Sequence, residues 1–267
     1  MQKKLTYRIK RSNREQFRHI VIIVLSFLLV IVIACNVSTF ARILNMYNYD
    51  RYLDNLYALK QEKGLSALAE INSDLLGYIE CEDLNMHLPV VETEDKNKED
   101  FYLDHDFRKM SNELGTPYQK STTSVGETTV STFVGHSAFT ETLFNEKKNQ
   151  TIFGKLNQYL YKSTAFNYVI TFETFTELFT FKVIGVLKFN AKSGNNADEM
   201  SVYNTINITS RSQFNSFYQK IQDHTVVSGL DTAEYGDKFL TLFTCSTNDL
   251  NYRVMVIAKL TSQTPKS

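Results

Sequence analysis

Residues 20–41 carry no charged side chain and begin with a nearly unbroken Ile/Val/Leu/Phe run. As an α-helix this stretch spans about 33 Å at 1.5 Å per residue, the thickness of a bilayer's hydrocarbon core. Nothing else in the chain narrows its possible architecture as far. Lys3, Lys4, Arg8, Lys10, Arg11, Arg14 and Arg18 precede it against the single acid Glu15, and such a basic flank holds the N-terminus on the cytoplasmic side. Residues 1–19 are therefore expected as a cytoplasmic basic tail, 20–41 as a single-pass transmembrane anchor in the cell membrane, and the remainder as extracytoplasmic. A cleaved signal peptide, or a lipoprotein signal presenting Cys35 after Val32-Ile33-Ala34, would place the remainder in the same compartment. The uncleaved anchor is favoured because the apolar run exceeds the roughly 7–15 residues of a signal-peptide core and shows no clear small-x-small cleavage site.

At 267 residues and 43% hydrophobic content, the chain can bury one substantial core with appendages. The formal net charge of zero conceals an asymmetry. Setting aside residues 1–19, with seven bases and one acid, leaves 22 bases against 28 acids, a balance of −6. An acidic exterior is a poor nucleic-acid binder, and none is expected as a partner. Of three cysteines, Cys35 falls in the apolar segment, leaving Cys81 and Cys245 outside it. Two widely separated thiols make a weak disulfide framework, and a free thiol in an extracytoplasmic protein asks for a reason.

Beyond the anchor, residues 42–73 read as helical, with Tyr49, Leu53, Leu56 and Tyr57, then Leu65, Leu68 and Ala69, recurring at three and four residues. Gly64 is expected to divide this segment into two helices. From Gly77 onward the texture changes to β-like runs at 78–81, 86–92, 130–136, 168–172, 178–189, 239–245 and 252–260. Seven such runs predict a mainly β domain, a compact barrel or sandwich over 74–261, followed by a polar tail at 262–267. The last run alternates, with Tyr252, Val254, Val256, Ala258 and Leu260 on one face and Arg253, Met255, Ile257 and Lys259 on the other. One strong helix interrupts the strands at 210–223: Phe214, Phe217, Tyr218 and Ile221 form its apolar stripe, and Ser210 with Gln213 fits a capping box. Residues 190–200, with Gly194-Asn195-Asn196, read as a surface loop, and 96–100 as a charged turn.

Three residues in this pattern can carry chemistry. Cys245 ends the apolar run Phe239-Leu240-Thr241-Leu242-Phe243-Thr244, where a buried strand emerges toward a loop. A cysteine needs a base or cation nearby to populate its thiolate at neutral pH, although most single cysteines are small core hydrophobes. Among five histidines, His136 alone ends a β-run, behind a glycine that permits close backbone approach. Taken singly, such a histidine is more often a satisfied surface or core residue. Arg253 opens the strand after the loop leaving Cys245, so a short hairpin brings the two together, and its guanidinium can stabilise an oxyanion. A surface arginine pairing with Asp249 is the plain alternative. No paired His/Cys spacing suggests a metal.

Together these positions resemble the sortases. The family's Thr-Leu-x-Thr-Cys strand with a downstream Arg is matched by Thr241-Leu242-Phe243-Thr244-Cys245 and Arg253, and its Gly-His by Phe133-Val134-Gly135-His136. Leu76-Gly77-Tyr78-Ile79, Leu88-Pro89-Val90-Val91 and Phe101-Tyr102-Leu103 followed by Gly115-Thr116 look like the fold's opening strands. The resemblance implies a sortase-type closed β-barrel with N-terminal helices and a long helix between the sixth and seventh strands, the arrangement of class B. Class C is disfavoured, since no Asp-Pro lid motif occurs and the chain ends in polar residues. Two positions depart from or qualify the pattern: Thr247 stands where some class B members carry an acid, and Phe243 is bulky enough to narrow a substrate groove.

The implied activity is a cysteine transpeptidase with Cys245 as nucleophile, His136 as proton partner and Arg253 as oxyanion stabiliser. Its implied partners are the sorting-signal peptide of secreted surface proteins or pilins, and an amine acceptor from a cell-wall precursor or a pilin lysine. Wall anchoring and pilus polymerisation remain open between them. No cofactor is implied, and no clustered acidic set suggests calcium. The Cys/His/Arg pattern by itself also admits a surface cysteine peptidase, or a non-catalytic anchored adhesion or assembly module in which Cys245 is structural.

Overall fold

The computed structural model describes residues 2–93, 96–142, 145–161, 163, 166–246, 249 and 251–266, with side chains for all of these except 2–14, 35, 36, 38, 39, 96–99, 138–142 and 145–151. It divides into two compact units, Met1–Asn48 and Tyr49–Ser267. Helix α1 (Gln2–Ala69) supplies the whole of the first and the opening of the second. Within the first unit, Ile20, Ile23, Phe27, Leu29 and Val30 are all exposed although they point in different directions around the helix. A helix apolar on every side is one that lipid can cover. Glu15–Ala34 is the only stretch among the described residues long and apolar enough to cross a membrane. In the second unit α1 is amphipathic, burying Tyr49, Leu53, Leu56, Leu65 and Leu68. It is broken where expected: Gly64 adopts φ 75°, ψ −176°, a conformation that costs a residue with a Cβ dearly.

The strands, in chain order, are β1 (Leu75–Cys81), β2 (Met86–Val91), β3 (Tyr118–Gln119), β4 (Val130–Val134), β5 (Ser137–Thr142), β6 (Asn145–Ile152), β7 (Val169–Glu173), β8 (Glu177–Asn190), β9 (Phe239–Cys245) and β10 (Tyr252–Pro265). Among the described residues, eight of them close a barrel in the order β1-β2-β3-β4-β9-β10-β8-β7, while β5 and β6 form a separate hairpin. Two of the barrel's neighbour pairs, β2 with β3 and β4 with β9, run parallel. Helices α2 (Ala197–Asn204) and α3 (Arg211–His224) connect β8 to β9, the sixth and seventh barrel strands in chain order.

Both faces of the central strands are apolar because both are covered. Leu242, Val256 and Val186 stand level on β9, β10 and β8, with Phe133 beside Leu242 on β4. These fill the interior, where the Phe133 and Phe172 rings meet edge to face at 4.8 Å. The alternate residues Phe239, Ile257, Met255 and Leu187 face outward and join one core with Phe214, Phe217 and Ile221 of α3. The fit is close: a Cβ on Gly185 would sit 2.3 Å from Ile221 Cγ2. Ser210 caps α3 as expected, accepting from Gln213 N at 3.2 Å. The reciprocal bond falls one residue earlier, with Thr209 N donating to Gln213 Oε1 at 2.8 Å.

Five elements differ from the sequence reading. The expected loop at 190–200 gives way at Ala197 to α2, whose weak amphipathicity hides it. Residues 262–265, expected as a polar tail, continue β10 in register with β8 as far as Pro265 opposite Glu177. The backbone pairing there needs no apolar side chain. Phe101-Tyr102-Leu103, expected as a strand, closes a 3-10 helix (Lys96–Leu103). β3, only two residues long, and the polar β6 carry too little pattern to be foreseen.

A network of ions ties α1 to the barrel. Lys60 Nζ lies 2.5 Å from both Glu80 on β1 and Glu173 on β7, and Glu173 also meets Lys266. Burial by itself would raise the Glu80 carboxyl, but the His87 imidazole, with Nδ1 3.6 Å away, and the hydrogen-bonded Lys60 ammonium outweigh it and hold its pKa at about 2. A depressed carboxyl stabilises the fold fully above its unfolded value of 4.5, and that contribution disappears as the pH falls toward 2. Thermal melts of the wild type should therefore fall progressively over that acid range. Lys60→Met should cost about 2 kcal/mol at neutral pH, between exposed and fully buried pairs, and should flatten the acid dependence of the melting temperature.

Candidate active site

The site is built at one end of four adjacent strands, β4, β9, β10 and β8. In the β9/β10 register Cys245 lies directly opposite Arg253, and Arg253 lies opposite Phe189 on β8. Directly opposed antiparallel residues point to the same side, with Cβ atoms about 5 Å apart. On the other flank β4 runs parallel to β9 with Val134 level with Phe243. Gly135 N donates to the Phe243 carbonyl at 3.1 Å at that last pair, and His136 follows it two residues beyond Val134, at the same end of the sheet as Cys245. Cys245 and Arg253 belong to the outward face whose middle α3 covers; at this end the helix is absent, and Cys245, His136 and Arg253 are each half-buried. Of the three positions read from the sequence, Cys245 and Arg253 are thus cross-strand neighbours, and His136 lies at the same end of the sheet.

Each member is held from behind. Gly135 is required by Phe153, a fully buried ring; a Cβ at Gly135 would lie 2.8 Å from Phe153 Cδ2. Phe153 opens a 3-10 helix (Phe153–Leu160) whose buried Asn157 donates to the Gly154 carbonyl at 3.1 Å and makes a longer contact of 3.4 Å to the Cys245 carbonyl. One short element therefore supports both the histidine and the cysteine strands. The turn after Cys245 is closed by Ser246 N donating to the Tyr252 carbonyl at 2.8 Å and Tyr252 N to the Asp249 carbonyl at 2.9 Å. The Asp249 carboxylate takes the Asn251 N–H at 2.9 Å, which is a turn-capping role. Arg253 Nη1 donates to the Tyr252 carbonyl at 3.2 Å. Thr247 lies outside the described residues.

Burial pushes the His136 imidazole below its ordinary range, while a hydrogen bond to the Leu103 backbone and the nearby Asp104 carboxylate partly restore it. Leu103 is a contributor that sequence reasoning missed, because a backbone carbonyl leaves no signature in side-chain identity. Tyr203 of α2 is another. Its ring lies 4.4 Å from Phe243, two residues before Cys245 on the same face, with Lys120 Nζ 4.2 Å from its centroid. α2 thus packs beside Phe243, whereas α3 packs over Phe239 and Gly185 further along the barrel. Cys81, by contrast, is 1% exposed, in contact with the Tyr159 hydroxyl at 2.9 Å, and pushed up by burial to about 11. That thiol is a core residue.

Two measurements test this geometry. Mild alkylation of the folded protein should label Cys245 and leave Cys81 untouched, as read by peptide mapping; modification of Cys81 at a comparable rate would contradict its burial. Gly135→Ala should lose about 1–3 kcal/mol of stability through overpacking. Phe153→Leu should recover part of that loss in a double-mutant cycle, whereas additive losses would mean the two sites are independent.

A sequence model of the sortase domain matches residues 79–261. No curated protein sequence matches the chain. Solved structures with the same fold include a mutant form of Clostridium perfringens sortase B, 23% identical over 80% of this chain and 98% of that one, with a TM-score of 0.63. Sortase B from Bacillus anthracis is 19% identical over 82% and 99% of the two chains, with a TM-score of 0.65. A Staphylococcus aureus sortase B–substrate complex is 18% identical over 81% and 94%, with a TM-score of 0.60. The family match over most of the chain and the shared barrel, with helices before it and between its sixth and seventh strands, lead to one conclusion: this chain belongs to the sortase family of transpeptidases and has a class B-like fold.

Proposed function

We propose that this sortase is a membrane-anchored cysteine transpeptidase that cleaves the sorting signal of secreted surface proteins or pilins and passes the acyl group to an amine. The single observation that supports this reading is the β9/β10 register, in which Cys245 is directly opposite Arg253, with β4 leading to His136 at the same end of the sheet. The Cys245 thiolate attacks the scissile carbonyl, and the oxyanion that forms is stabilised by the Arg253 guanidinium. The C–N bond then breaks as His136 gives its proton to the departing amine, leaving a thioester on Cys245. Burial lowers the imidazole's hold on that proton, which favours its release. An incoming amine attacks the thioester, His136 takes up the amine's proton, and the Cys245 thiolate leaves as the new amide forms.

The half-buried setting favours transfer over hydrolysis only to the extent that a bound amine outcompetes water, so a surface cysteine peptidase is the reading to be tested against. Structures of sortase B complexed with triglycine and with substrate motivate a peptide donor and an amine acceptor here. Helical residues 20–41, with the basic 1–19 before them, support an anchor with the catalytic unit outside the cell.

The test is intact-mass analysis of the chain and its Cys245→Ala variant, incubated with a panel of sorting-signal peptides with and without triglycine. An adduct confined to the wild type and discharged by triglycine to a ligated product establishes transpeptidation. Discharge only to the acid, whatever amine is present, would favour the peptidase. Arg253→Ala should lower kcat by about 10²–10³, the cost of removing one oxyanion donor, with the stability of the barrel nearly unchanged.

A further inference from the structure

Where β4 ends, a backbone acceptor of β9 needs a donor from elsewhere. Bonds in a parallel pair recur at every second residue. After Gly135 N on the Phe243 carbonyl, an unbroken ladder would next bring the N–H of residue 137 to the Cys245 carbonyl. Ser137 instead opens β5 and lies opposite Ile152 of β6, in a sheet of its own. The Cys245 carbonyl takes the side-chain amide of Asn157, with Nδ2 at 3.4 Å. Asn157 thus stands in for the strand that has left.

The amide is presented by the 3-10 helix Phe153–Leu160. Asn157 is 2% exposed, and an amide buried to that degree is costly in place of an apolar side chain unless it is hydrogen-bonded. The same nitrogen donates to the Gly154 carbonyl at 3.1 Å, which orients the side chain on its own helix. At the helix's start Phe153 abuts Gly135. Toward its end the buried Tyr159 hydroxyl donates to the Asp83 carboxylate at 3.1 Å and meets Cys81 Sγ at 2.9 Å. A hydroxyl has one proton, so with Asp83 as its acceptor the Cys81 thiol is the donor to Tyr159. Asp83 in turn accepts the Asn167 and Tyr168 N–H groups at 2.9 and 2.6 Å. The helix is pinned against β4 at one end and just beyond β1 at the other, and a residue between these anchors holds the end of β9.

We propose that Asn157 is a positioning residue for the nucleophile: its amide fixes the Cys245 carbonyl, and with it the backbone from which Sγ takes its direction. The proposal rests on the role given to Cys245 above. A strand's last residue with one flank unpaired is prone to fray into the turn that follows. On the β10 flank Cys245 is steadied by Ser246 N on the Tyr252 carbonyl at 2.8 Å; Asn157 supplies the tie on the other. Held on both sides, Sγ keeps to the face it shares with Arg253, which spares the reaction the entropy of finding that geometry. The buried Cys81 thiol then serves the reactive one at a distance, as a donor at the helix's far anchor.

The experiment uses the full chain in lipid nanodiscs, with the sorting-signal peptides as donors, triglycine as acceptor and carbonyl-¹³C cysteine as the spectroscopic label. Asn157→Leu keeps the volume and removes the donor. It should lower kcat about tenfold, the scale of a slight misplacement of a reacting atom, with KM within twofold of wild type. The Cys245 carbonyl ¹³C resonance should move upfield as its hydrogen bond is lost. Alkylation of Cys245 by iodoacetamide, which needs the thiolate but no set direction of attack, should stay within twofold. In the wild type the Asn157 side-chain N–H protons should exchange with solvent about tenfold more slowly than those of an exposed asparagine, and this measurement decides the matter if Asn157→Leu does not fold. An Asn157→Leu variant that loses thermal stability but keeps kcat and the Cys245 carbonyl resonance overturns the positioning role, as does unprotected exchange of the Asn157 amide; both leave Cys245's own assignment intact. If Cys245→Ala retains wild-type turnover, that assignment falls and takes the proposal with it.

Discussion

The register of β9 between β4 and β10 is the constraint on which the rest depends. Side chains on a strand alternate with a period of two, so a slip of one residue on either side would turn Cys245 away from its partners and drive the apolar set off the core. The register is held by burial on both faces at once. Leu242 and Val256 fill the barrel, and Phe239 and Ile257 fill the space beneath α3. Neither layer tolerates a slip, so the chemistry at the strand ends inherits its geometry from packing several residues away.

The same burial creates the site's electrical character. A histidine at an open loop would titrate in its ordinary range, but His136 is half-buried and its charged form is disfavoured. Among the described residues, backbone groups contribute to the site: the Leu103 group at His136, the Tyr252 carbonyl at Arg253, and the Cys245 carbonyl facing Asn157. Carbonyls locked in turns and 3-10 segments cannot rotate away as a long side chain can, so they provide fixed dipoles at little entropic cost. The second cysteine shows the converse. Cys81, enclosed by the barrel wall and Tyr159, has a thiol of the same chemistry and no access.

Much of this was legible along the chain. Residues that alternate with strong apolar contrast, as at 252–260, and stripes such as Phe214, Phe217 and Ile221 announce their elements because burial selects side chains on one face. Gly64 marked its own break. Elements held by backbone pairing or by end contacts escaped: α2, the two-residue β3, the polar β6, and the last four residues of β10. In each the side chains are polar or mixed, and what fixes them is the neighbouring strand's hydrogen-bonding edge or a tertiary cap, neither of which writes a pattern into its own sequence.

The amino-acid sequence alone determined the apolar helix, the mainly β domain after it, and three reactive residue types at strand ends, because hydrophobic periodicity and the short span from Cys245 to Arg253 are local properties. The tertiary structure decided which strands are neighbours. The parallel pairing of β4 with β9 brings His136 to the end of the sheet where Cys245 lies, across more than a hundred residues of chain. Contacts of that range depend on how the barrel closes, and closure is settled by all eight strands packing a common interior at once.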